Sequence, residues 1–153
     1  MQLVRAPIFR ANPALPRVPL CVDRITIAKR LWRGTAADGV EFGFELEVPL
    51  KHNDTVHESV SACYVIEQTA EPVVEISLAV TPSAAAGIGW AIGNLHLELS
   101  ADATRMLAPD EPAVRQLLER LKVPYQLTTA IFRPGRFARG AQPPQELGSS
   151  HNH

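Results

Sequence analysis

Ala91-Ile92-Gly93-Asn94-Leu95-His96-Leu97-Glu98-Leu99 is the stretch whose reading decides the fold. Up to Gly93-Asn94 it completes an alanine-rich helix, with those two residues expected as a left-handed cap. Beyond them apolar and polar residues alternate. Leu95, Leu97 and Leu99 would point one way from a strand, and His96, Glu98 and Ser100 the other. A histidine is then expected on a rigid strand, on a face that is not the core.

Around this stretch the second half of the chain acquires a regular order. Val73 to Val80 reads as a strand, and Glu71-Pro72 before it as a domain boundary. Thr81 can cap a helix with Pro82 at its first position. Gly87 and Gly89 inside that helix are expected at sites of close packing. After the strand Leu95–Ser100 come a turn at Ala101-Asp102 and a strand near 103–107. Asp110 is expected to cap a second helix, in which Val114, Leu117, Leu118 and Leu121 recur on one stripe. A last strand runs from about Tyr125 to Phe132. The order β-α-β-β-α-β is the split βαβ, or ferredoxin-like, arrangement. His96 would lie on its open sheet face.

The first half reads as all-β. Ile25-Thr26-Ile27 leads towards Leu31-Trp32, and Asp38-Gly39 stands before the alternating run Val40–Leu46, a hairpin signal. Short strands follow near Thr55–Ser59 and Ala62–Gln68, which suggests a small barrel or sandwich. The expected organisation is therefore α+β: an all-β domain over 1–71, a ferredoxin-like domain over 72–134, and a flexible tail over 135–153.

Composition bounds the function. Charged residues make up 20% of the 153, apolar residues 46%, and the net charge is -1, so no field attracts nucleic acid or anionic lipid. Arg133, Arg136 and Arg139 are the one local basic run, read as a solvated connector. No apolar run approaches the roughly 20 residues of a membrane helix, and Met1–Arg10 lacks a signal-peptide core. Cys21 and Cys63 sit in strand-like contexts without a CxxC pair and are expected as buried thiols, in keeping with a cytoplasmic protein.

The histidines carry the remaining chemistry. His52 and His57 flank a turn and are expected as surface residues. His151 and His153 end the chain after Gly148-Ser149-Ser150, either as native metal ligands or as a linker-borne remnant. One chain offers no HExxH, CxxC pair or acidic calcium loop. Two copies related by a two-fold axis would bring two His96 side chains together. The tail from Pro134 to His151, as a flexible chain, spans roughly 20–25 Å and can add imidazoles to such an axis. An all-imidazole site suits nickel, with copper or zinc as alternatives.

With these residues in place, the chain resembles the urease accessory protein E family, the nickel metallochaperones of urease maturation. The family's Gly-Asn-Arg-His signature is similar to Gly93-Asn94-Leu95-His96 here, after an alanine-rich helix. Arg30–Leu46 resembles the first-domain hairpin, Asp54 fits the turn before the next strand, Glu71 the domain junction, and Phe132-Arg133-Pro134 the end of the last strand. The resemblance implies a first domain used for protein contact and a second that forms a homodimer. It implies nickel bound by His96 of both chains, with His151 and His153 as accessory ligands. It also implies transfer of nickel through the accessory GTPase to apo-urease, without catalysis. Leu95 departs from the signature's arginine, and residues 97–150 hold no further histidine. The alternative is a diverged, metal-independent protein-binding module of the same fold. A hydrolase or transferase would need a nucleophile–base pair or convergent acids, and no segment supplies them.

Overall fold

The computed structural model describes residues 1–138 and the strand Gln145–Glu146. The chain divides into two compact units, Met1–Thr69 and Ala70–His153.

The first unit holds β1 (Gln2–Val4), β2 (Arg17–Val22), α1 (Arg24–Ile27), β3 (Leu31–Thr35), β4 (Glu41–Glu45), β5 (Thr55–Glu58) and β6 (Cys63–Gln68). They form two three-stranded sheets, ordered β1-β4-β3 and β2-β6-β5. The β3–β4 hairpin turns at Asp38-Gly39, where Gly39 takes φ +90° at no steric cost. Asp38 fixes this turn twice: its carboxylate accepts the Val40 N–H at 3.1 Å and the Tyr64 hydroxyl at 2.9 Å. β1 joins β4, and β2 joins β6, in parallel. Phe42, Phe44, Leu20, Ile66 and Trp32 from both sheets share one core, in which Trp32 stacks on Phe44 at 3.8 Å between ring centroids.

One segment expected as a strand is a helix. Ile25-Thr26-Ile27 forms the single turn α1, because the Asp23 carboxylate accepts the Thr26 N–H at 2.8 Å and caps it. The cap outweighs the β preference of the two isoleucines.

The second unit holds β7 (Glu71–Ser77), α2 (Pro82–Asn94), β8 (Ser100–Ala101), β9 (Arg105–Pro109), α3 (Pro112–Arg120), β10 (Gln126–Ala130), β11 (Arg136–Phe137) and β12 (Gln145–Glu146). β7 to β10 make a four-stranded antiparallel sheet ordered β10-β7-β9-β8. Glu71-Pro72, expected as a break, begins β7. Proline is tolerated there because it stands at the strand's start, where its missing N–H costs least.

Both helices lie on one face of this sheet. Ile88 and Ile92 of α2 and Val114, Leu117 and Leu118 of α3 pack on Val74, Ile76, Met106 and Ala108. Leu121, just past α3, is 45% exposed and leaves the expected stripe. Phe132 is buried with Val73 and Leu107, whose places in β7 and β9 alternate with those of the helix-side residues. The segment after β10 therefore covers part of the face expected to be open.

Further differences have local causes. Glu111, not Asp110, is the N-cap residue of α3; the Asp110 carboxylate is engaged by the Arg115 guanidinium through two bonds of 2.7 and 2.8 Å. Those bonds hold the Asp110 carboxyl below its ordinary range. A Cβ at Gly87 would meet nothing within 4 Å, and one at Gly89 only Leu99 at ordinary contact distance, so neither glycine serves close packing. The expected tail contains paired strands: Gly135 turns the chain at φ +80°, its N–H donates to the Leu99 carbonyl, and β11 then pairs with β12. Among the described residues no helix is long and apolar enough to cross a membrane.

Candidate metal centre

The segment around His96 is a helix end and not a strand. α2 starts where the Thr81 hydroxyl accepts the Ala84 N–H at 3.2 Å, and it runs one residue past Gly93, through Asn94. Leu95 follows as the C-cap, and His96 takes φ +56°, the left-handed conformation expected of Gly93-Asn94. The His96 N–H donates to the Gly93 carbonyl at 2.9 Å and the Leu97 N–H to the Ile92 carbonyl at 3.3 Å. These are the two bonds of a Schellman motif, and Leu97 packs into the same core as Ile92, completing it. Only after this motif does the chain enter the short β8.

The alternation of Leu95, Leu97 and Leu99 was thus not that of a strand. Leu97 and Leu99 are half-buried against the helix-side core, while Leu95 is 44% exposed. His96 is removed from the sheet face and stands exposed at the C-terminal end of α2. Its imidazole has no hydrogen-bond or ion-pair partner among the described residues. The carbonyl end of a helix carries partial negative charge and favours a cation nearby.

The outer face of α2 leads to this residue. Ser83, Ala86, Gly87, Trp90, Gly93 and Asn94 are all exposed, on the side opposite Ile88 and Ile92. Trp90 is 71% exposed. It is the residue that the sequence reading missed, although a lone tryptophan in a helix of alanine and glycine could have signalled it. A large exposed aromatic beside an unpartnered imidazole marks a surface suited to association.

The other histidines have structural roles. His52 is half-buried, and its Nδ1 accepts the Gln68 N–H at 3.0 Å. His57, also half-buried, packs its ring 5.7 Å from Tyr64 and 5.9 Å from Phe42. Neither is the surface residue expected. Cys63 is buried, with its thiol 3.6 Å from the Asn12 carbonyl and 3.8 Å from the Glu58 carboxylate. Burial, and then the Glu58 charge, push that thiol up and keep it protonated. Cys21, expected to be buried, is exposed because it alternates with the inward Leu20 and Val22 of β2. His151 and His153 lie outside the described residues. Among the described residues no three potential ligands cluster, so the described part of one chain does not assemble a metal site by itself.

An unpartnered imidazole on a helix end, without any convergent set of acids or nucleophiles, is a feature of a binding protein. The comparisons identify the kind. The family described as "UreE urease accessory protein, C-terminal domain" matches residues 71–153. The chain is also 32% identical over 118 residues to the urease accessory protein UreE of Deinococcus radiodurans, covering 75% of this chain and 74% of that one. The chain belongs to the UreE family of urease accessory proteins. It is accordingly an accessory chaperone of urease maturation and not an enzyme.

Proposed function

We propose that this protein is a cytoplasmic nickel carrier that delivers Ni²⁺ to apo-urease through the urease accessory GTPase complex. The observation that carries the reading is His96: an exposed imidazole without a protein partner, on a backbone fixed by two Schellman bonds, at the negative end of a helix. Imidazole is a borderline ligand and suits nickel, with zinc and copper as competitors for the same donor. A carrier must release its cargo, and few, exposed ligands favour release.

The site is completed by a second copy of the chain. One His96 per chain is too few, and the exposed outer face of α2, with Trp90 at its centre, offers a surface for two-fold pairing. The homodimer would form through helix α2 and not through the sheet face, since His96 stands at the helix end. His151 and His153 would serve as accessory ligands. The second unit, with its sheet order β10-β7-β9-β8 and two helices on one face, would be a ferredoxin-like metal-binding and dimerisation domain. The first unit would contact the urease proteins.

The test is urease activation in a host that expresses urease and its accessory genes, with this chain as the sole family member. At limiting nickel, His96→Ala should give urease of low activity, and added nickel should restore it. Full activation by His96→Ala at limiting nickel would contradict the proposal.

A further inference from the structure

The outer face of the β1-β4-β3 sheet carries a feature that metal handling does not use. Gly43 sits in the central strand, between Leu3 on β1 and Arg33 on β3. Where a side chain would stand there is a shallow depression of about 330 Å³, walled by Met1, Leu3, Leu31, Arg33 and Glu45. Met1, Leu3 and Leu31 are 73%, 57% and 76% exposed, a contiguous apolar rim around one missing side chain. A Cβ at Gly43 would lie 3.4 Å from the Met1 thioether, so the most adaptable side chain in the protein borders the hollow.

The charges on this face are unequal in their commitments. Glu45 faces Arg5 at 3.4 Å, a pair exposed enough to be worth little but sufficient to balance its charge. Arg33 is exposed and has no partner among the described residues, although it is Gly43's direct neighbour in register. The face thus combines an apolar hollow with one uncommitted guanidinium beside it.

We propose that this face docks a segment of a protein partner that presents a large apolar side chain next to a carboxylate. The apolar group would fill the hollow over Gly43, and the carboxylate would take Arg33 in a two-pronged hydrogen-bonded pair. A second copy of this chain fits less well, because two-fold pairing of the face would set Arg33 against Arg33. An anionic lipid surface also fits less well, because Glu41 and Glu45 share the face with the cation. The inference goes beyond nickel carriage and does not depend on it.

The test uses the intact chain as bait for a displayed library of random peptides, with enriched peptides then synthesised and titrated by calorimetry. The expected peptides pair an aromatic or large aliphatic residue with Asp or Glu within a few positions. Arg33→Glu and Leu31→Ser, both at exposed positions where the fold should survive, should each weaken their binding at least tenfold. Gly43→Leu, which fills the hollow, should do the same. Enriched peptides that bind all three variants as tightly as the parent would overturn the proposal, as would failure to enrich any peptide over an Arg33→Glu, Leu31→Ser bait. Two other outcomes also overturn it. Loss of dimer in Leu31→Ser by light scattering would make a second copy the occupant. Vesicles of anionic phospholipid held by the parent and released by Arg33→Glu would make it a membrane.

Discussion

Replacing His96 with glycine should raise the stability of the second unit while removing its proposed metal ligand. His96 holds φ +56°, a conformation that costs an ordinary residue about 1–2 kcal/mol and glycine almost nothing. Glycine gives back roughly 0.5–1 kcal/mol through the greater freedom of the unfolded chain. The side chain is exposed and unpartnered, so its loss opens no cavity. The net gain should be about 0.5–1 kcal/mol, or roughly 2–8 °C in midpoint for a domain of this size. His96→Val should do the opposite, because a β-branched residue fits the left-handed region worst. The assay is thermal unfolding by circular dichroism with a chelator present, since bound metal would stabilise the histidine form by mass action. A midpoint lowered by His96→Gly, or left unchanged by His96→Val, would refute the helix-end geometry.

Three further outcomes follow from the packing. Leu118, fully buried at the centre of α3's inner face, should cost about 2–5 kcal/mol when cut to alanine; a loss below about 0.5 kcal/mol in urea unfolding would count against that face assignment. Asp110→Asn should destabilise the protein at neutral pH, because the paired carboxylate has a lowered pKa and stabilises the fold above the ordinary carboxylate range. That contribution is lost as pH falls through the lowered value, so urea midpoints of parent and variant should converge in acid; a gap that stays constant from pH ~6 to ~2 would contradict the pairing. Trp90→Glu should leave the thermal midpoint of the chain little changed but yield monomers in light scattering, whereas a surviving dimer would move the interface away from α2.

Much of the second unit could be read from local signals. Thr81-Pro82 starts α2, and Val114, Leu117 and Leu118 form the buried stripe of α3. The Asp38-Gly39 turn and the β3–β4 hairpin were equally legible, because a two-residue signal closes them. What escaped was of two kinds. The parallel pairings of β1 with β4 and β2 with β6 join residues about forty positions apart, and no turn residue announces them. The segment after Asn94 misled because a Schellman motif places an apolar residue two positions past the cap, as Leu97 is here. Leu95, Leu97 and Leu99 then imitate the period of a strand. His96 was correctly singled out as exposed, but its support is a helix end, and its face is that of Trp90.

The central claim is that His96 of two chains holds one nickel ion. Calorimetric titration of the intact protein with Ni²⁺ at about pH 7.5, where imidazole is free of its proton, tests it most directly. The account predicts one tight nickel per two chains in the parent, weaker binding at about pH 5.5, and loss of the tight phase in His96→Gly, whose fold is retained. Tight nickel binding at the same stoichiometry in His96→Gly would contradict it.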